Sequence, residues 1–111
     1  MYSINKASQL TQIPSSTIRY YEKINLIAPI KRNTQGNRVF NEKDLEILNL
    51  IRCFRHLGMS ISDIKASITN VNLDYENMDT KEILLQHKIK LEEQVTILNS
   101  YINEIEEKIV K

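Results

Sequence analysis

Residues 14–38 concentrate side chains suited to gripping a polyanion: Ser15, Ser16, Thr17, Arg19, Tyr20 and Lys23, then Lys31, Arg32, Asn37 and Arg38. An arginine takes a guanine edge through two parallel N–H donors, and Ser, Thr and Tyr hydroxyls bond phosphates or base edges. Lysine and arginine neutralise phosphates and release their counterions. Each residue alone has a plainer reading: Arg19 as a solvated charge, Tyr21 as core, Gly36 and Asn37 as a turn. It is the combination that points to nucleic acid. Catalytic chemistry finds no comparable support. The chain has no Gly-rich phosphate loop, no metal-ligand cluster and no Cys–His–acid set beyond the neighbours Cys53 and His56. No enzyme activity, cofactor or metal is expected.

The elements that must hold these residues are legible from pattern. Ser3 caps a short helix over residues 4–11, with Ile4, Ala7 and Leu10 on one face. A second helix starts near Pro14, tolerated in a first turn, and runs to about residue 24. Ser15 and Ser16 are its cap candidates, and Ile18, Tyr21 and Leu26 face inward. Two short helices joined by the tight turn Gln12-Ile13 form a helix-turn-helix. Residues 27–40 hold a turn cluster around Gly36, flanked by short apolar-basic runs, which predicts a β-hairpin wing.

Next, Asn41 caps a helix over residues 42–57 that ends at Gly58, with Ile47, Leu50, Ile51, Phe54 and Leu57 as its buried stripe. Ser60 and Asp63 open another, running to about residue 70. Residues 1–70 thus make a winged helix-turn-helix head, residues 71–79 a connector, and residues 80–111 one long helix. In that helix Leu84, Leu91, Leu98 and Ile105 recur every seven residues, interleaved with Lys88, Val95, Ile102 and Ile109. At 1.5 Å per residue it is about 46 Å long, more than a head of this size can cover. Its apolar seam calls for a second copy of the chain, joined through Leu84, Leu91, Val95, Leu98, Ile102, Ile105 and Ile109. The fold class is all-α with a small β-hairpin wing.

Charge follows the same division. The chain carries a net +1, yet residues 1–58 hold nine Lys/Arg against four Asp/Glu, and residues 59–111 hold six against ten. A basic head on an acidic support suits a polyanion partner. No stretch approaches the roughly 20 apolar residues of a membrane span. Residues 1–10 lack a secretory pattern and there is a single cysteine, so a cytoplasmic location is expected.

The run from Thr17 to Ile27, Thr-Ile-Arg-Tyr-Tyr-Glu-Lys-Ile-Asn-Leu-Ile, resembles the hallmark of the MerR family of transcriptional regulators. The stretch from Arg32 to Phe40 is similar to that family's wing, and residues 51–64, with Leu57-Gly58-Met59-Ser60-Ile61, to its next segment. The resemblance covers essentially the whole chain. It implies a homodimer whose terminal helices pack antiparallel and hold two heads on double-stranded promoter DNA. It also implies promoters whose spacer is too long, and a protein that distorts them so that RNA polymerase, engaged indirectly through the DNA, can use them. That is indirect readout made switchable. The sequence departs from the family where Gln12, Ile13 and Pro14 replace a Gly-aliphatic-Ser run, where a basic residue near Ser16 is missing, and where Asn37 and Phe40 replace wing aromatics. The phosphate contacts are where these departures bear.

The resemblance also frames what switches the protein. Metal-sensing members use several cysteines, and one chain with a single cysteine cannot supply two thiolates, so thiolate metal sensing is not expected. Drug-sensing members carry a further ligand domain, which residues 80–111 do not supply. Cys53 stands beside Arg52 and Arg55, with His56 one turn on, at the edge of the apolar stripe. Nearby cations favour the thiolate. The segment resembles the aldehyde- and thiol-stress (AdhR/NmlR-like) branch, which implies electrophile or oxidant sensing at Cys53; a small buried packing residue is the other reading. A MerR-like architectural protein of the excision-factor type, which bends DNA without an effector, is the alternative function. The long heptad helix speaks against it.

Overall fold

The computed structural model describes residues 1–69 and 79–110. Residues 1–78 and 79–111 group as two units. The first contains α1 (Ile4–Thr11), α2 (Ser15–Lys23), α3 (Glu42–His56) and α4 (Ile61–Thr69); the second is α5 (Thr80–Ile109). The connector expected over residues 71–79 lies outside the described residues except for Asp79, as does Asn70.

Local chemistry sets the helix ends. Ser3 accepts the Lys6 N–H and starts α1. Asn41 and Asp44 form a reciprocal capping box at the head of α3. Ser60 accepts the Asp63 N–H at α4, and Asp79 accepts the Glu82 N–H at α5. Two helices end in the same way. Asn25 and Gly58 take positive φ just past α2 and α3, and the following residues, Leu26 and Met59, return N–H bonds to Tyr21 and Phe54. Both Leu26 and Met59 are buried, so the chain turns inward there. At α2 the cap differs from expectation. Pro14 takes the N-cap position with no side-chain bond, and neither Ser15 nor Ser16 caps the helix, because both already lie inside it.

The core of the first unit is centred on Ile18, Leu26, Phe40, Leu48, Ile51, Phe54 and Ile64. α1 packs on α2 and α3, and α3 on α4. Two predicted faces are corrected. On α1 the buried residues are Ala7 and Thr11, while Leu10 is exposed. Thr11 can go inside because its hydroxyl donates to the Ala7 carbonyl at 2.7 Å and so stays satisfied. On α3 the buried stripe is Leu45, Leu48, Ile51 and Phe54; Ile47 and Leu50 are half-buried and Leu57 is exposed.

The hairpin is slighter than two full strands. It consists of an antiparallel bridge between Arg32 and Arg38, with Val39 N–H donating to the Lys31 carbonyl and Asn33 N–H to the Asn37 carbonyl. Asn33 builds the tip: its side-chain oxygen accepts the N–H groups of Gln35 and Asn37, both at 3.0 Å. Gly36 takes φ 82° there, where a side chain would be strained. At the base, Tyr2 and Phe40 exchange both backbone bonds, adding the N-terminus to the hairpin.

In the second unit α5 runs 30 residues. Leu84 is half-buried, and Leu91, Val95, Leu98, Ile102, Ile105 and Ile109 are 37–74% exposed. His87 is the buried residue of this helix. Among the described residues, no helix is long and apolar enough to cross a membrane.

Candidate nucleic-acid interface

The turn between α1 and α2 fixes how α2 is presented. Gln12 occupies the left-handed region at φ 60°, which lets the chain reverse at once. Thr11 accepts the Ile13 N–H and Ser8 donates to the Ile13 carbonyl, so the turn's polar groups are satisfied by α1 side chains. Ile13 is itself buried and anchors the turn.

With Ile18 and Tyr21 packed inward, α2 turns Ser16, Arg19, Tyr20 and Lys23 outward. Their spacing of three, four and seven residues puts them on one helical face. Ser15 and Thr17 are half-buried beside it. A face of one hydroxyl, one guanidinium, one phenol and one ammonium matches what a major-groove reader presents. Burial raises the Tyr21 phenol, partly offset by the charge of Arg55, which fits a packing residue.

Next to this face lies a cleft of about 500 Å³ where Arg19 meets Arg32, Asn37 and Arg38 of the hairpin and Tyr2 and Ser3 of the N-terminus. Four predicted residues thus come together in one basic cleft. Ser15, Ser16, Thr17, Tyr20, Lys23 and Lys31 do not line it. Tyr2 and Ser3 were missed because only the long-range pairing of Tyr2 with Phe40 brings the N-terminus here.

Both wing arginines have a second occupation. Arg32 donates from Nη1 to the Gly36 carbonyl at 2.8 Å, bracing the tip. Arg38 donates from Nε to Glu22 Oε1 at 2.8 Å, and the other oxygen of Glu22 accepts the Ile30 N–H at 2.5 Å. Partial burial pushes the Glu22 carboxyl up, but the bonds from Ile30 and Arg38 and the charges of Arg38 and Arg32 outweigh it and hold it below the ordinary carboxylate value. Glu22 is a site residue that the sequence reading missed; a lone acid on a basic helix carries no signal of its partners. Phe40, in place of a wing tyrosine, is fully buried. Its missing hydroxyl therefore costs the exposed face nothing.

Cys53 is exposed on α3, further from the core than the edge position expected for it. It lines a surface depression with Asn49, Arg52, Arg55 and His56. Among the described residues, no three His, Cys, Asp or Glu side chains converge to hold a metal ion.

Residues 2–70 match the family model of the MerR HTH regulatory proteins, and the chain belongs to that family. It is a DNA-binding transcriptional regulator and not an enzyme. An uncharacterized HTH-type transcriptional regulator of Bacillus subtilis, YyaN, is 35% identical over 96% of this chain and 76% of its own length. Among solved structures, HiNmlR, a MerR family regulator lacking the sensor domain and bound to promoter DNA, is 30% identical with a TM-score of 0.67, over 92% of this chain and 78% of that one. That likeness supports the resemblance to the AdhR/NmlR-like branch. The fold is also that of MtaN, the N-terminus of the Bacillus subtilis multidrug transporter activator, with a TM-score of 0.82 over the whole of both chains at 24% identity.

Proposed function

We propose that the protein works as a homodimer, joined through α5, that sets two heads on one promoter and distorts the DNA between them. Residues 1–70 read the DNA and residues 80–111 make the dimer. In this reading Arg19 and Tyr20 face base edges, Ser15, Ser16, Thr17 and Lys23 flank them, Lys31, Arg32 and Asn37 of the wing meet the neighbouring backbone, and Arg38 stands at the base of the wing. RNA polymerase is engaged through the shape of the DNA.

One observation carries the dimer: six aliphatic residues at heptad positions, Leu91 to Ile109, stand 37–74% exposed along one face of α5. A stripe of that length needs a partner. The charges support an antiparallel order. Lys81, Lys88 and Lys90 lie near the start of α5, and Glu104, Glu106 and Glu107 near its end. A parallel pair sets Lys88 against its own copy inside the seam, whereas an antiparallel pair sets the basic end against the acidic one.

Footprinting on the protein's own upstream region tests this reading. It predicts a two-fold symmetric protected site with enhanced cleavage at its centre; an asymmetric site the length of one head contradicts it.

Cys53 is the group we assign to switching. Its exposure in the depression with Arg52, Arg55 and His56 leaves the sulfur open to an electrophile or oxidant. Promoter output after treatment with a reactive aldehyde should rise in the wild type and stay flat in Cys53→Ser. Equal induction in both removes the assignment.

A further inference from the structure

We infer that Glu22 is a positioning residue for DNA recognition: its one carboxylate fastens the wing to the recognition helix and so sets the spacing between base-edge and backbone contacts. The inference rests on the reading of α2 and the hairpin as one DNA-binding face.

The geometry is that of a two-armed clamp. Glu22 lies in the last turn of α2, on the helix that carries Arg19. One oxygen takes the N–H of Ile30, on the outgoing side of the hairpin, and the other takes Nε of Arg38, on the returning side. Both arms grip the base of the hairpin, next to the Arg32–Arg38 bridge. The tip is braced separately, by Asn33 and by the Arg32–Gly36 bond. The hairpin is therefore a self-held unit joined at its base to the helix. The clamp is well shielded, with the Arg38 and Glu22 side chains 19% and 15% exposed, so water competes weakly for it. Lys31, Arg32 and Asn37 remain exposed above it.

This changes the role of Arg38. Read from sequence, it is an independent clamp on the DNA backbone. In the fold its Nε is committed to Glu22, and the arginine acts through the wing's placement. Two roles for Arg38 then give different arithmetic. If it only meets phosphate, losing Arg38 and losing Glu22 are separate injuries and their effects multiply. If the pair acts as one device, losing either is losing both.

The test uses the full chain and a duplex carrying its footprinted site, with binding measured across a salt series for the wild type, Glu22→Gln, Arg38→Gln and the double variant. Gln keeps the size of Glu and one acceptor for Ile30, but turns an amide donor toward Arg38. Each single variant should bind about 10-fold more weakly, and the double variant no more than about 2-fold worse than either. The slope of log affinity against log salt should become shallower by roughly one to two, since each lost phosphate contact removes about 0.9. A lowered folded fraction reduces affinity but leaves that slope alone, which separates positioning from damage. If Glu22→Gln does not fold, Glu22→Asp, which keeps the charge but shortens the reach to Ile30 and Arg38, takes its place in the same cycle, with the same expected losses and slope.

An unchanged slope in the variants, or losses that multiply to about 100-fold in the double variant, overturns the inference while leaving DNA binding intact. A wild type that binds no duplex at low salt overturns the reading beneath it and the inference together.

Discussion

Glu22 and Arg38 are 16 residues apart in sequence, yet Nε of the arginine lies 2.8 Å from the carboxylate. Through that bond the last turn of α2 holds the returning side of the hairpin. Because the carboxyl is held below its ordinary value of 4.5, it contributes stability that is present in full above that pH and is lost as pH falls through the depressed value. The melting temperature of the wild type should therefore drop further between pH 6 and pH 3 than that of Glu22→Gln, which has no charge to lose there. Parallel pH profiles for the two proteins contradict this.

Asn41 and Asp44 satisfy each other's backbone N–H groups at 2.8 and 2.9 Å. Asn41→Ala breaks the box from one side and should cost about 1 kcal/mol, read as a lower urea midpoint with an unchanged slope.

Gln12 pays for the tight turn with a left-handed backbone at φ 60° that only glycine adopts freely. Gln12→Gly should stabilise the chain by about 0.5–1 kcal/mol, after allowance for the looser unfolded chain. A fall in the thermal midpoint contradicts that account of the turn.

The interface should separate base readers from backbone holders. Arg19→Ala should cost roughly 1–3 kcal/mol on the cognate site and relax preference at one base position. Lys31→Ala should weaken all duplexes alike and flatten the salt dependence by about one. Binding to a panel of single-base variants of the site distinguishes the two patterns; the same pattern from both substitutions contradicts the division of labour.

What the sequence made legible was local. The α1–α2 turn, the Asn41 cap and the stop at Gly58 are each set by a few adjacent residues, and the structure keeps all three. The phase of α3 was not legible, because Leu45, Ile47, Leu48, Leu50, Ile51, Phe54 and Leu57 offer two overlapping stripes with the same helical spacing. Only the packing of α1 and α4 on α3 selects Leu45, Leu48, Ile51 and Phe54. The same limit hid Tyr2 and Glu22. Their partners, Phe40, Ile30 and Arg38, are reached through tertiary structure, and neither residue type signals the pairing. The exposed face of Ser16, Arg19, Tyr20 and Lys23 was legible because one short helix carries all four.

The mass of the protein–operator complex, measured by sedimentation for the wild type and for a Leu98→Glu, Ile102→Glu variant, tests the paired-head account most directly. Two chains of wild type per duplex are expected, and loss of high-affinity binding when two charges enter the α5 seam. One wild-type chain per duplex, or a variant that stays single and still binds the full site as tightly, contradicts it.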